Sequence, residues 1–223
     1  MTGASPRPSD PLGAGPIFYP IIDTAVCAAR GIDPLALAVA CLRGGARLLQ
    51  VRQKAGSGAS FLALVERLVI ESAHFNAQVI VNDRADIARL AGAAGVHVGQ
   101  DDLGVDDVFR IAGMGAIVGV STHDTTQIDA AIGGRATYVA VGPVYGSTTK
   151  NTGYGPRGLD LVRYAAGRGK PIVAIGGITL DRARDVVAAG ADGVAVIGDL
   201  ATSDPETRVR AFVSAVAPRP FNV

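Results

Sequence analysis

The stretch Gly142 to Gly158, GPVYGSTTKNTGYGPRG, ends a β-branched run with glycines, the hydroxyls of Ser147, Thr148 and Thr149, and one ammonium, Lys150. Free backbone N–H groups, hydroxyls and a cation at a strand end are what a bound phosphate or pyrophosphate requires. A second set lies in QVRQK, where strand alternation sends Gln50, Arg52 and Lys54 to one side and Val51 to the other. Three long polar side chains turned into the mouth of a fold are costly unless they meet a ligand, the alternative being a solvated strand end. Two carboxylates, Asp83 and Asp102, come from neighbouring strand ends. Such a pair suits Mg²⁺, a hard cation that takes one or two carboxylates together with waters and substrate phosphate oxygens. Asp101 is a spare acid nearby, and a helix N-cap is an equal reading for Asp101 or Asp102.

The remaining candidates are weaker. Ser121, Thr122 and His123 read as a helix cap, because a Ser/His nucleophilic pair needs a third group to orient the base and no carboxylate stands at recognisable spacing. His97, alone at a strand end, is expected to be a satisfied structural group without a catalytic role. Gly176, Gly177 and Gly198 follow two later strands and precede helices, an arrangement that binds phosphate in barrels of alternating strands and helices, with tight turns as the alternative. The sets divide into two anion sites. One gathers Arg52, Lys54, Lys150 and a metal on Asp83 and Asp102, while the other uses N–H groups near Gly177 and Gly198.

Something must hold these groups at one rim. The 223 residues are 48% hydrophobic and 18% charged with a net charge of +1, which supplies a large core and no general field for nucleic acid. Residues 1–15 are rich in Pro, Gly and Ser and read as a flexible tail, 16–217 as one catalytic domain, and 218–223 as a C-terminal tail. No apolar run reaches the roughly 18 residues needed to cross a bilayer, so a cytoplasmic protein without a membrane partner is expected. Cys27 and Cys41, without a CxxC spacing, read as reduced core residues.

From Ile17 onward, short β-branched runs alternate with Ala- and Leu-rich segments of helical length. Strands are expected at 17–22, 46–52, 78–81, 95–98, 116–120, 138–141, 171–175 and 193–197, and helices at 34–43, 61–75, 105–112, 125–132, 159–166 and 180–189. Asp33 and Thr179 are the expected caps of the helices that follow them. Polar residues sit at the C-terminal end of nearly every strand instead of at one switch point, which favours an α/β single-domain (β/α)8 TIM barrel over an open sheet.

With these residues placed, the chain resembles the thiamine-phosphate synthase family from about Ile17 to Val216. The matches are QVRQK at Gln50 to Lys54, VND at Val81 to Asp83, HVGQDD at His97 to Asp102, GVS at Gly119 to Ser121, GPVYGSTTK at Gly142 to Lys150 and AIGGIT at Ala174 to Thr179. Their order and spacing carry the resemblance. It implies an enzyme that joins an aminopyrimidine methyl diphosphate to a thiazole ethyl phosphate, or its carboxylated tautomer, releasing pyrophosphate with Mg²⁺ as cofactor. By that resemblance Gln50, Val51, Arg52, Gln53, Lys54, Asn82, Ser121 and Lys150 bind the pyrimidine diphosphate. Asp83 and Asp102 hold the metal, and Ser147, Thr148, Thr149, Gly177, Ile197 and Gly198 hold the thiazole phosphate. Arg52, Lys54 and Lys150 stabilise charge on the leaving pyrophosphate, and no protein nucleophile takes part. The resemblance leaves the oligomeric state open, a homo-oligomer included.

Two positions depart from the family pattern. Gly146 and Ser147 stand where Pro and Thr are common, and Gly198 stands where Ser is frequent; altered affinity for the thiazole partner is expected. The rival readings are a thiazole tautomerase relative, which binds the thiazole phosphate without a metal, and a non-catalytic phosphate-binding barrel.

Overall fold

The computed structural model describes Leu12 and residues 15–146 and 153–218. Eight parallel strands pair in chain order: β1 (Ile17–Asp23), β2 (Leu48–Arg52), β3 (Gln78–Asn82), β4 (Gly95–Val98), β5 (Ile117–Thr122), β6 (Tyr138–Val141), β7 (Ile172–Ile175) and β8 (Gly193–Val196). The first strand pairs with the last, from Ile17 opposite Gly193 to Pro20 opposite Val196, so the sheet closes into a (β/α)8 barrel. Around it lie α1 (Thr24–Ala29), α2 (Pro34–Arg43), α3 (Gly58–Ala73), α4 (Ala85–Ala91), α5 (Val105–Ala112), α6 (Thr125–Gly133), α7 (Gly158–Ala165), α8 (Leu180–Ala188) and α9 (Pro205–Val216). No described helix is long and apolar enough to cross a membrane.

The strands agree with the sequence pattern to within two residues at each end, and α2 and α5 have the expected bounds. Three helices go beyond the expected set. Helices α1 and α4 are six and seven residues long, too short to display a helical period. Helix α9 does display one, burying Val209, Phe212 and Val216 at spacings of three and four. Asp33 caps α2 as expected, accepting from the Ala36 N–H at 3.0 Å. Thr179 stands at the N-cap of α8 as expected, but its side chain makes no capping bond; Asp199 Oδ2 accepts the Leu180 N–H, at 3.2 Å. Leu12, in the expected tail, is buried against the barrel interior.

Strand alternation sorts the side chains into two shells. Val51, Val81, Val96, Val98, Val118, Val139 and Val141 face the helices in the larger core, where Phe18 of β1 stacks on Phe212 of α9 at 4.6 Å. The inner shell holds Tyr19, Ile21, Leu48, Ile80, Ile117, Tyr138, Ala140, Val173 and Ala195. Tyr138 fits because its neighbour at the next strand is glycine: a Cβ on Gly119 would lie 2.0 Å from Tyr138 Cζ. Cys27 and Cys41 are buried and unpaired by any disulfide. Burial, helped for Cys27 by the nearby carboxylates of Asp23 and Asp33, pushes their thiols up to about 11 and about 12.

Gly119→Ala is expected to cost about 1–3 kcal/mol through overpacking against Tyr138, whereas Gly115→Ala, with no atom within 4 Å of the added methyl, stays close to neutral. Equal urea midpoints for the two variants would contradict the interlock. Because both thiols stay protonated well above neutral pH, neither cysteine should react with a thiol reagent at pH 8 until the chain is unfolded.

Candidate active site

Most described side chains that could do chemistry here come from the C-terminal end of a strand or the loop after it, and the pleat decides which enter the barrel. Gln50, Asn82 and His97 do so and are 3%, 7% and 8% exposed. Arg52 Nη1 donates to Asp23 Oδ2 at 2.5 Å. Asp23 is itself fixed, since its other oxygen accepts from the N–H groups of Ala25 and Val26 at the start of α1. Arg52 Nε is buried and has no partner among the described residues. A buried N–H left unpaired costs about 1–3 kcal/mol, and Arg208 Nε is in the same state on its guanidinium.

Lys54 Nζ meets Asp83 Oδ2. Among the described residues Asp83 is one of two non-glycine residues with positive φ, at 62°, and its N–H donates to the His97 carbonyl at 2.8 Å. That left-handed turn is unfavourable for most residues, although Asp tolerates it better than others. Burial holds the Asp83 carboxyl above the usual carboxylate range; Lys54 offsets this in part, and a hydrogen bond with Asp102 and its charge add to it. Asp102 Oδ2 accepts the Gly99 N–H at 2.8 Å. Neither Asp101 nor Asp102 caps the next helix, because α5 begins after Gly104 with Asp106 and Asp107 in its first turn.

Two residues of QVRQK do not present side chains to this space. Val51 points to the helix side and is 1% exposed in the outer core, as the pleat requires. Gln53 turns back to Ser57 and Ser60, with its Nε2 at 3.5 Å from the Ser57 carbonyl and from Ser60 Oγ. The expected substrate contacts of both are therefore limited: Val51 has only its backbone to offer, and the Gln53 amide is turned to the start of α3.

Ser121 is not paired with His123. Its Oγ lies 2.8 Å from His97 Nε2, and the other nitrogen of that ring lies 2.8 Å from the Tyr138 hydroxyl instead of a carboxylate. The partnership joins the neighbouring strands β4 and β5 and has no signature in local sequence. His123 Nδ1 donates to the Gly142 carbonyl at 2.6 Å and stacks on Tyr154 at 4.3 Å. Thr122 Oγ1 donates to the Ala140 carbonyl, and Asp124 caps α6.

On the other side of the mouth lies a cleft of about 310 Å³ lined by Gly146, Gly177, Thr179, Ile197 and Gly198, among others. The double glycine lets the loops after β6 and β7 lie against each other. At Gly176 (φ 102°) a Cβ would meet Pro143 Cα at 2.6 Å, and at Gly177 (φ 61°) the Gly146 carbonyl at 2.3 Å. Two arginines also line this cleft without any warning from sequence: Arg30, which donates to the Ala201 carbonyl, and Arg182, which donates to the Gly177 carbonyl and covers the Tyr145 ring. Asp199 adds no bare negative charge, since Arg208 grips both its oxygens at 2.7 and 2.8 Å. Ser147, Thr148, Thr149 and Lys150 lie outside the described residues. Both flanks of that segment return to this rim, Gly146 in the cleft and Tyr154 on His123, with Arg157 N–H donating to the Pro143 carbonyl.

A raised carboxyl disfavours the native state above its unfolded pKa, so the penalty at Asp83 is present at neutral pH and fades as pH falls towards the usual carboxylate range. Asp83→Asn, which also tolerates positive φ, is expected to stabilise the protein by about 0.5–1 kcal/mol at pH 7. The gain should vanish near pH 4. Thermal unfolding at both pH values measures it, and an equal or larger gain at pH 4 would refute it.

A family model described as thiamine monophosphate synthase matches residues 18–200. The chain is 40% identical over 221 residues to a thiamine-phosphate synthase of Roseiflexus castenholzii, covering 98% of this chain and 94% of that one. It is 43% identical to one of Anaeromyxobacter dehalogenans over 79% of this chain and 80% of the relative. Among solved structures, a thiamine phosphate pyrophosphorylase from Pyrococcus furiosus superposes with a TM-score of 0.82 at 26% identity, covering 93% and 96% of the two chains. A 3-hexulose-6-phosphate synthase, with a TM-score of 0.65 at 19% identity over 90% of this chain and all of that one, shares the fold. The chain belongs to the thiamine monophosphate synthase family.

Proposed function

We propose that this barrel condenses an aminopyrimidine methyl diphosphate with a thiazole ethyl phosphate, with the two anions in the two regions described above. The observation that carries the reading is the carboxylate pair Asp83 and Asp102 at one rim, beside Lys54 and the unpaired Nε of Arg52, with a separate glycine-lined cleft across the mouth. A monophosphate barrel needs the cleft alone. The pair fits a divalent cation: burial, and then the neighbouring Asp102, raise the Asp83 carboxyl, and a cation of charge two placed between two such acids is stabilising.

Asp83 and Asp102 would hold Mg²⁺, which supplies neutralisation of charge on the departing diphosphate. Arg52, Lys54 and Lys150 bind the same diphosphate oxygens and stabilise the charge that builds as the carbon–oxygen bond breaks and its electron pair leaves with pyrophosphate. Gln50, Asn82 and Ser121 orient the pyrimidine, whose amino group donates electron density to the methylene cation. Gly177, Ile197 and Gly198, with Ser147, Thr148 and Thr149, hold the thiazole phosphate so that the ring nitrogen lone pair closes the new carbon–nitrogen bond. No proton must be removed from either reacting atom, and no protein nucleophile is required. Arg30 and Arg182 add positive charge to the cleft, which compensates for a hydroxyl missing at Gly198. The partners of such an enzyme are small phosphorylated molecules, and its place is the cytoplasm.

Incubation of the purified protein with both substrates and Mg²⁺ should release thiamine phosphate and pyrophosphate in equal amounts; no product with the wild type would sink the reading. Asp83→Ala and Asp102→Ala should each lower kcat by a factor of about 10² or more, the loss of about 2.7 kcal/mol of charge stabilisation. Lys150→Ala should weaken binding of the diphosphate substrate and leave thiazole phosphate affinity within twofold. Equal weakening of both would refute the division into two sites.

A further inference from the structure

A chain of hydrogen bonds crosses the barrel beneath the pyrimidine region. Gln50 Nε2 donates to the Tyr19 hydroxyl at 3.1 Å, the hydroxyls of Tyr19 and Tyr138 lie 3.1 Å apart, Tyr138 lies 2.8 Å from His97 Nδ1, and His97 Nε2 lies 2.8 Å from Ser121 Oγ. Tyr19 and Tyr138 are 1% and 0% exposed, and burial raises both phenols, so each carries its proton. Gln50 and Ser121, the two ends of the chain, line the same small depression in the barrel mouth.

The direction of the chain follows from counting hydrogens. The Tyr19 oxygen accepts from Gln50, so its single hydrogen is free to go to Tyr138. The hydrogen of Tyr138 then goes to His97 Nδ1, which leaves the ring proton on Nε2, donated to Ser121. Run the other way with Gln50 Nε2 still toward Tyr19, Tyr138 would donate to Tyr19, whose own buried hydrogen would have no acceptor among the described residues, at a cost of about 1–3 kcal/mol. With the amide so placed, one direction satisfies every donor and the other leaves one orphaned; reversal requires the Gln50 amide to turn over as well.

We infer that this buried relay fixes the polarity of the surface that reads the substrate ring, so that Ser121 presents a hydroxyl hydrogen and Gln50 presents its carbonyl oxygen. A ligand edge with a ring-nitrogen acceptor beside an amino donor complements that surface, and the edge of a 4-oxo pyrimidine, with the donor and acceptor exchanged, opposes it. Tyr19, Tyr138 and His97 are positioning residues, acting through Gln50 and Ser121. The inference about the ring rests on the proposed synthase reading; the polarity of the relay does not.

The chain has three histidines, so the ring nitrogens can be resolved by ¹⁵N NMR of the histidine-labelled protein. His97 should show an unprotonated Nδ1 and a protonated Nε2 at pH 8. A protonated Nδ1, alone or with Nε2, overturns the proposal. This readout needs no turnover, so a protein without synthase activity would still test it. For the active enzyme, kcat/KM for the 4-amino pyrimidine diphosphate over its 4-oxo analogue should fall at least tenfold in Tyr138→Phe, with KM for thiazole phosphate within twofold. A lower kcat for both analogues with the preference intact would mean a merely structural role and overturn the specificity claim. Tyr19→Phe breaks the relay one link earlier and gives the same test if Tyr138→Phe does not fold.

Discussion

The pairing of β1 with β8 is the contact on which the site depends. Until Ile17 to Pro20 lie against Gly193 to Val196, the sheet has two open edges, and the residues after β1 and after β8 have no relation to each other. Closure brings Arg30 to the cleft that holds Ile197 and Gly198, while the register of β1 on β2 sets Asp23 beside Arg52. It also turns all eight C-terminal strand ends towards one rim, where short loops can serve a common ligand. The chain has to bring its two ends together early or late in folding, and the entropy of that long closure is offset by the two apolar shells.

Inside the closed sheet, the pleat acts as a sorting device. Residues of one parity, many of them valines, pack outward against the helices in the larger of the two cores. Residues of the other parity fill the interior, apolar where Leu48, Ile80 and Ile117 sit, and polar towards the mouth. Buried polar groups are tolerable only when they are satisfied, and most here are: Gln50, Tyr19, Tyr138, His97 and Ser121 satisfy one another in sequence. The departures are informative for that reason. Arg52 Nε has no described partner, and Asp83 combines positive φ with a raised carboxyl. Ser72 Oγ, Arg208 Nε and the positive φ of Asn76 lie elsewhere, but only Arg52 and Asp83 stand together at the mouth, where a charged ligand would relieve both.

Much of this was legible in the amino-acid order. The β-branched runs and their spacing identify the eight strands, and alternation within QVRQK separates Gln50 and Arg52 from Val51. The acids at Asp83 and Asp102 mark neighbouring strand ends. Other features had a local signal that propensity alone misreads. Thr179 is a good cap by type and holds the N-cap position, yet its side chain makes no capping bond and Asp199 reaches the neighbouring Leu180 N–H from the loop after β8. Short helices such as α1 and α4 are held by the strands they connect and have too few residues to show a period.

The sequence by itself determined the fold class, the order of the strands and the inventory of charged and hydroxyl groups at their ends, because these follow from periodicity and residue type within a few positions. Only the tertiary structure decided which of those groups meet. The Ser121–His97 pair, the relay through Tyr138, the Asp23–Arg52 ion pair and the arginines of the cleft all join residues far apart in the chain. Their distances are set by barrel closure and strand register, which are collective properties of all eight strands and leave no mark on any one segment.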